Sequence, residues 1–353
     1  MTYTYNIHDV VKIESDIMLL NRAFHRYFLS SDVSDPDLII KIRKNVDFSK
    51  KGLSRHDLWF YGKEGKDFVY YEDRILGMKD KVLIKNLENK PTEIHATKSV
   101  TRINLRSRGS LSDLIEAVID LKFLKAGLFT IHAASLSRNN SAILLTGFPN
   151  IGKTLSTLHL LKNGFSYLGD DNGVIDRNGN VYCYPSTSSI SYHDFLKFIE
   201  PVDIGRWNYY KYLLRTFPMQ NKIIERLFDY PEIYLPDIKK YKQADKAKAW
   251  ITCCLEIEKR KIKEVDKEEL ANKIWLSNNY SRPAITQNPF MYIYAYFNDI
   301  NFAELDKMEK DILLSFLSNS RCFIISCNDR DWGSVLDDVL QRGRCNEIES
   351  DRA

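Results

Sequence analysis

Short apolar stretches broken by turn-forming residues dominate residues 1–120. Leu38–Ile42, Asp67–Tyr71 and Lys81–Ile84 read as strands, and Gly- and Lys-rich separators such as Gly62–Lys66 divide them. The pattern then changes. Leu111, Leu114, Ile115 and Val118 recur at i, i+3, i+4 and i+7, which predicts a helix over 112–121. Phe129–Leu136 and Ser141–Thr146 read as two strands joined by a turn at Arg138–Asn140, an antiparallel hairpin. A Gly-containing loop follows. The next helix, Lys153–Asn163, is stopped by Gly164 in the position where helices take a left-handed residue. Phe165–Leu168 is a short apolar run that leads into two acids, Asp170 and Asp171.

Beyond residue 200 the pattern is helical and aromatic. Ala249–Ile257 returns to strand. Asp266–Trp275 reads as a helix whose first residue and Glu269 have the spacing of a capping box. A helix near Phe302–Ser318, a strand at Cys322–Ser326 and a closing helix at Asp331–Gln341 complete the series, and the polar end from Arg342 is expected to fray. The series predicts an α/β protein. Residues 1–120 form a small mixed N-terminal region, 121–345 a second domain with a helical basic insertion around 201–248, and 346–353 a tail.

Composition narrows the function classes. At 353 residues with 44% hydrophobic and 28% charged positions, the chain has the make-up of a globular protein of about two domains. No apolar run approaches the ~20 residues a membrane helix needs. The start, Met1–Asn6, lacks the basic and apolar regions of a secretory signal. Six cysteines without a CxxC pair predict neither a disulfide scaffold nor a zinc site, and reduced thiols point to the cytoplasm. The net charge of +4 is too small to imply nucleic acid. It is unevenly spread, since Pro201–Lys263 holds 14 Lys/Arg against 8 Asp/Glu, a surplus of six. Aromatics interleave there, as in Arg206–Tyr212. A solvated helical face is the plain explanation, and docking of an acidic or phosphorylated partner is the sharper one.

The chemistry is concentrated in Gly147-Phe148-Pro149-Asn150-Ile151-Gly152-Lys153-Thr154, a complete G-x-x-x-x-G-K-[ST]. Its glycines let backbone N–H groups converge on phosphate oxygens, and the following helix adds the positive end of its dipole. Lys153 would reach the β- and γ-phosphates, and the Thr154 hydroxyl would ligate Mg²⁺. Asp170 and Asp171 at a strand end suit a division between metal binding and proton acceptance, although Asp-Asp-Asn-Gly is also good turn chemistry. His132 lies on the strand expected to pair with the one feeding the loop. A core histidine is the plain alternative.

Together, Ile131–Ala134, Gly147–Thr154 and Gly164–Asp171 resemble the HPr kinase/phosphorylase family, within the P-loop group that includes the ATP-dependent phosphoenolpyruvate carboxykinases. Ile175–Pro185 resembles the hairpin that follows the acids there, and the separations fit: His132 to Gly147 is 15 and Lys153 to Asp170 is 17. The likeness covers roughly 129–187. It implies a kinase domain on a mixed, partly antiparallel sheet. It also implies ATP (or GTP) and Mg²⁺ as cofactors, with Gly147–Thr154 holding the nucleotide. In that reading Asp170 is the general base, Lys153 binds phosphate, His132 supports the site electrostatically, and Thr154 and Asp171 serve the metal. The implied acceptor is a Ser of a peptide or protein, with a small-molecule hydroxyl second. Neither a membrane nor nucleic acid is implied, and the oligomeric state is open, a homo-oligomer included.

Two departures mark the chain as divergent, with its own substrate. No Glu-x-Arg-Gly-type signature follows the acids, and the aromatic insertion at 201–248 is additional. A transition-state cation is also expected, for which Arg206, Arg260 and Arg282 are candidates and ordinary surface roles the alternative. The competing class is a nucleotide-binding regulatory module that hydrolyses slowly, with Asp170 orienting water. A carboxykinase is disfavoured because its additional His and Lys metal set is missing.

Overall fold

Alternation in the N-terminal third produces a sheet with one covered face. In a computed structural model of the chain, Val11–Ser15 buries its first, third and fifth residues. The structure describes residues 2–350 apart from 32, 50, 52, 62–66, 76–77, 101–110, 221–230, 282–284, 286–287, 299 and 329–330. The chain divides into two units, Met1–Gly127 with Pro283–Glu309, and Leu128–Arg282 with Lys310–Ala353.

The first unit carries an eight-stranded mixed sheet. Its spatial order is Tyr3–Ile7, Val11–Ser15, Leu38–Arg43, Thr92–Thr97, Met78–Lys85, Phe68–Ile75, Trp59–Tyr61 and Ser54–His56. Val11–Ser15 and Thr92–Thr97 both run parallel to Leu38–Arg43, and the remaining pairs are antiparallel. Helices Leu111–Lys125 and Pro289–Asn298 belong to this unit. Phe290 packs edge-on against Trp59 and Tyr71, with ring centroids 5.1 and 5.6 Å away. The helix at 289–298 is absent from the sequence expectation because it is apolar almost all round and carries no helical stripe.

The second unit is built on a ten-stranded mixed sheet. The expected hairpin is present, with Ala133–Arg138 antiparallel to Ser141–Thr146. Asn139 and Asn140 take the left-handed backbone at its tip (φ 52° and 63°). Ser141–Thr146 runs parallel to Lys246–Glu256, which in turn runs parallel to Arg321–Ser326. On the other side of the hairpin lies Ser166–Gly169, antiparallel to Ala133–Arg138.

One strand expected as continuous is broken. Phe129–Leu136 resolves into Leu128–Ile131 and Ala133–Arg138, with His132 between them. The first piece pairs with Gly173–Asp176 and the second with the hairpin partner. Following the sheet from Ala133–Arg138 through Ser141–Thr146, Lys246–Glu256, Asn180–Tyr182 and Gly173–Asp176 returns to Leu128–Ile131. The path therefore begins and ends on neighbouring stretches of chain, and His132 is the corner where the sheet turns back on itself.

Two helices run further than expected. Asp266–Trp275 extends as Lys267–Ser281, with Asp266 Oδ1 accepting from Glu269 N–H at 2.7 Å. The closing helix runs Trp332–Ser350, through the tail expected to fray. Gly343 seats it, since a Cβ there would meet a Trp250 ring carbon at 2.8 Å. Cys183, Cys253, Cys254, Cys322 and Cys327 are buried free thiols. Burial pushes Cys254 and Cys322 up to about 11. Among the described residues no helix is long and apolar enough to cross a membrane.

Candidate functional site

The loop after Ser141–Thr146 owes its shape to three left-handed positions, Gly147 (φ 139°), Asn150 (φ 63°) and Gly152 (φ 116°). Two of them also require the absence of a side chain. A Cβ on Gly147 would meet the Leu255 carbonyl O at 2.9 Å, and one on Gly152 would meet Trp332 Nε1 at 2.3 Å. Gly152 also caps the helix Lys153–Lys162 without any side chain accepting from its first turn. The N–H groups at that end are left to an external acceptor, and the helix dipole favours an anion there.

Lys153 is buried, 5% exposed, and its ammonium donates to the carbonyls of Gly147 (3.1 Å) and Phe148 (3.2 Å). The lysine thus folds back along its own loop. Burial holds it below the usual lysine range, against the pull of Asp171 and Asp170.

The two acids part company at the end of Ser166–Gly169. Asp171 takes a left-handed backbone (φ 69°), which turns the chain between them. Asp170 is wholly buried and Asp171 is exposed. Thr154 Oγ1 donates to Asp170 Oδ2 at 3.2 Å, and Ser188 Oγ donates to the same oxygen at 2.5 Å. Oδ1 is buried with no hydrogen-bond partner, and the Ser186 hydroxyl donates to the Asp170 carbonyl. Burial, with Asp171 beside it, pushes the Asp170 carboxyl up to about 7, against the opposing effects of Ser188, Lys153 and Thr154. Asp171 is also raised. Although its surface is accessible, crowding strips part of its hydration, Lys153 opposes the shift and Glu232 adds to it.

His132 sits at the sheet corner, held on three sides. Its N–H donates to Asn278 Oδ1 at 2.7 Å, its carbonyl accepts from Thr146 Oγ1 at 3.3 Å, and its Nδ1 lies 3.0 Å from the Asp171 carbonyl O. A carbonyl can only accept, so Nδ1 carries the proton in the neutral ring. Asn278 also donates to the Thr130 carbonyl at 3.5 Å, supplying ladder contacts that the corner loses.

The structure therefore gathers Gly147–Thr154, Asp170, Asp171 and His132 around one loop. Thr154 touches Asp170, and His132 meets the backbone of Asp171. Of the three arginine candidates, Arg260 donates to Ser334 and to Asp338 at the surface, and Arg206 is exposed on a separate helix. Arg282 lies outside the described residues. No sequence signal marks Ser186, Ser188 or Asn278 as site residues. The serines lie in Ser186-Thr187-Ser188, which has no periodicity, and Asn278 is separated from His132 by 146 residues. In the sequence Trp332 is simply one residue of the closing helix, and only the fold sets it against Gly152. The exposed rings of Phe148 and Tyr280 meet edge-on at 5.3 Å beside the loop.

The donors fit a magnesium nucleotide. Hydroxyl and carboxylate oxygens are the hard ligands Mg²⁺ takes, and the Thr154 hydroxyl and the exposed carboxylate of Asp171 offer both kinds at this end of the loop. Among the described residues no cluster of three or more His, Cys, Asp or Glu could hold a metal ion by itself.

No family model matches the chain, and no curated protein matches it. Among solved structures, the Hpr(Ser) kinase/phosphatase from Coxiella burnetii is similar over 63% of this chain and 94% of its own, at 11% identity and a TM-score of 0.31. That is a distant likeness, too slight to assign an activity.

Proposed function

We propose that the protein is a Mg²⁺-dependent kinase that transfers the γ-phosphoryl group of ATP (or GTP) to a hydroxyl, with Ser of a peptide or protein as the leading acceptor. One observation carries the reading. A wholly buried carboxylate, Asp170, held by burial above the usual carboxylate range, is hydrogen-bonded to the Thr154 hydroxyl of a complete phosphate-binding loop. A base poised near 7 can accept a proton from an alcohol as the phosphoryl group leaves the nucleotide.

In this reading the N–H groups of Gly147–Thr154 cradle phosphate oxygens. Lys153 leaves the loop carbonyls for the β- and γ-phosphates, and Asp170 takes the acceptor proton. Thr154 and Asp171 would hold Mg²⁺, which neutralises phosphate charge when bound. His132, through Nδ1–H, fixes the carbonyl of Asp171 and so the turn that separates the acids. The acceptor class rests on the resemblance of the motifs.

A second reading exchanges the acids. It is favoured by the exposure of Asp171, which an acceptor can reach directly, whereas Asp170 is closed off. The test is transfer from γ-labelled ATP to Ser-containing peptides and to small alcohols, with a Mg²⁺ titration of Asp170→Asn and Asp171→Asn. The first reading expects Asp170→Asn to lose transfer by about 10²–10⁴-fold at saturating Mg²⁺ while still binding nucleotide, and Asp171→Asn to need more Mg²⁺. The reverse result exchanges the roles. Phosphate release with no labelled acceptor returns the protein to the regulatory hydrolase class.

A further inference from the structure

The basic, aromatic stretch singled out in the sequence resolves into a helix with two different faces. Arg206–Thr216 buries Tyr209, Tyr212 and Thr216. This inner face is fixed in place. The Tyr212 ring stacks on Phe195 at 4.2 Å between centroids, and its hydroxyl lies 2.8 Å from the Pro231 carbonyl O and accepts from Ile190 N–H at 3.2 Å.

The outer face is apolar. Trp207 (80% exposed), Tyr210 (58%) and Leu214 (76%) stand at i, i+3 and i+7, and Phe217 (62%) continues the stripe at i+10. Spacings of three and four place side chains on one side of a helix, so these four form a continuous ridge. A soluble domain seldom leaves such a ridge in water unless something binds it.

The flanks say what binds. Lys211, four residues after Trp207 and three before Leu214, borders one side, with Arg215 beyond it; Arg206, four residues before Tyr210, borders the other. All three are exposed, and the helix contains no Asp or Glu. A ridge of Trp, Tyr and Leu with two cations along one edge and one on the other complements an amphipathic segment that is apolar along its centre and acidic along its edges. Trp, Tyr and Arg are also the side chains that dominate protein–protein hot spots. The position favours a protein partner over an anionic membrane. Tyr212 bonds directly to Ile190, two residues after the Ser188 that holds Asp170, so whatever docks on this helix lies on the element bracing the candidate site.

We propose that the outer face of Arg206–Thr216 is a docking site for an acidic amphipathic helix of a partner protein. The ridge inserts between the partner's apolar side chains, and Arg206, Lys211 and Arg215 pair with its carboxylates. The site needs no nucleotide.

The experiment uses the full chain and three probes. One is a pool of labelled helical peptides with a Leu/Phe stripe flanked by Glu. The second is the same pool with Lys in place of Glu. The third is phosphatidylserine/phosphatidylcholine vesicles. The expected result is saturable binding of the Glu pool that weakens as salt rises, because screening shortens the Debye length from ~10 Å at 0.1 M to ~3 Å at 1 M. Trp207→Ala and Leu214→Ala should each weaken it roughly 10- to 30-fold, the cost of truncating a hot spot. Both side chains point into solvent, so both variants should fold, and an unchanged melting temperature checks this. Tyr296→Ala, an exposed aromatic in the other unit, should bind like the parent. No binding of the Glu pool, equal binding of the Lys pool, or binding indifferent to Trp207→Ala overturns the proposal. Vesicle binding that Trp207→Ala abolishes, without peptide binding, reassigns the face to a membrane surface.

Discussion

Ser188 Oγ and Asp170 Oδ2 lie 2.5 Å apart, across 18 residues of chain, in a pocket that also closes around the Thr154 hydroxyl. The bond stabilises the charged carboxylate and so works against burial, which has already pushed the acid up to about 7. Activity that depends on the deprotonated acid should rise with pH through this region and then level. Ser188→Ala removes one of the donors holding the charge, so the rising limb should move to higher pH while the plateau rate changes little. A pH–rate profile of both proteins checks this, and an unmoved limb means that Asp170 is not the titrating base.

The same shift has a sign for stability. The folded-state pKa is above the unfolded 3.8, so between these values the folded chain holds a proton that the unfolded chain has lost. Asp170 therefore makes stability fall as pH rises from about 4 toward 7, by up to 1.36 kcal/mol per unit. Asp170→Asn cannot ionise and should melt higher than the parent at pH 8, with the gap shrinking toward pH 4. Thermal melts of the two proteins at both pH values measure it, and a gap that widens at low pH would reverse the assignment.

Lys153→Ala should abolish nucleotide binding and also cost some stability. A phosphate-binding loop can be pictured as a surface feature that loses nothing without its lysine. Here the ammonium is buried and donates to two loop carbonyls, so its loss should cost about 1–3 kcal/mol. Titration with a fluorescent nucleotide and a melt separate the two effects.

Gly152 and Trp332 form a second coupled pair. Gly152→Ala would drive its methyl into the indole at 2.3 Å from Nε1, in a backbone region that alanine avoids. Trp332→Ala empties the space and should cost about 3–5 kcal/mol as a cavity. The double variant should be less damaged than the sum, because the cavity accommodates the methyl. A double-mutant cycle in chemical denaturation reads the coupling, and strict additivity would deny the contact.

Asn278→Ala should leave the His132 N–H buried without an acceptor, at about 1–3 kcal/mol. Asn278→Asp keeps an acceptor oxygen, and should lose less at neutral pH than alanine does. Hydrogen exchange at the His132 amide distinguishes a local opening of the corner from global loosening.

Much of the loop and hairpin was legible in the sequence, because both are local. Two glycines, Lys153 and Thr154 stand at fixed spacing, and Asn139–Asn140 is a turn signal that needs no distant partner. The shell around Asp170 was not legible. Ser188 reaches the acid only because Ser166–Gly169 and the segment after Cys183 are brought together in space, and no periodicity records that meeting. The corner at His132 was hidden for a related reason. Phe129–Leu136 is buried at every position, Thr130, His132 and Ser135 included, and a buried strand that changes partners has the same pattern as one that does not. The helix at 289–298 is apolar almost all round, so periodicity could not find its buried face.

The contact between Gly152 and Trp332 also sets an order on synthesis. The loop is complete in sequence once residue 154 has been made, yet its back wall arrives about 180 residues later, with the closing helix. Arg321–Ser326, which flanks the strand beside the loop strand, is nearly as late. At translation rates of about 5–20 residues per second, a ribosome takes roughly 9–36 s to cover that interval. Through that time the emerging chain carries the full phosphate-binding motif without the indole that shapes its end. If the loop holds a nucleotide as proposed, that ligand should act on the finished protein and not as an early folding ligand for the growing one.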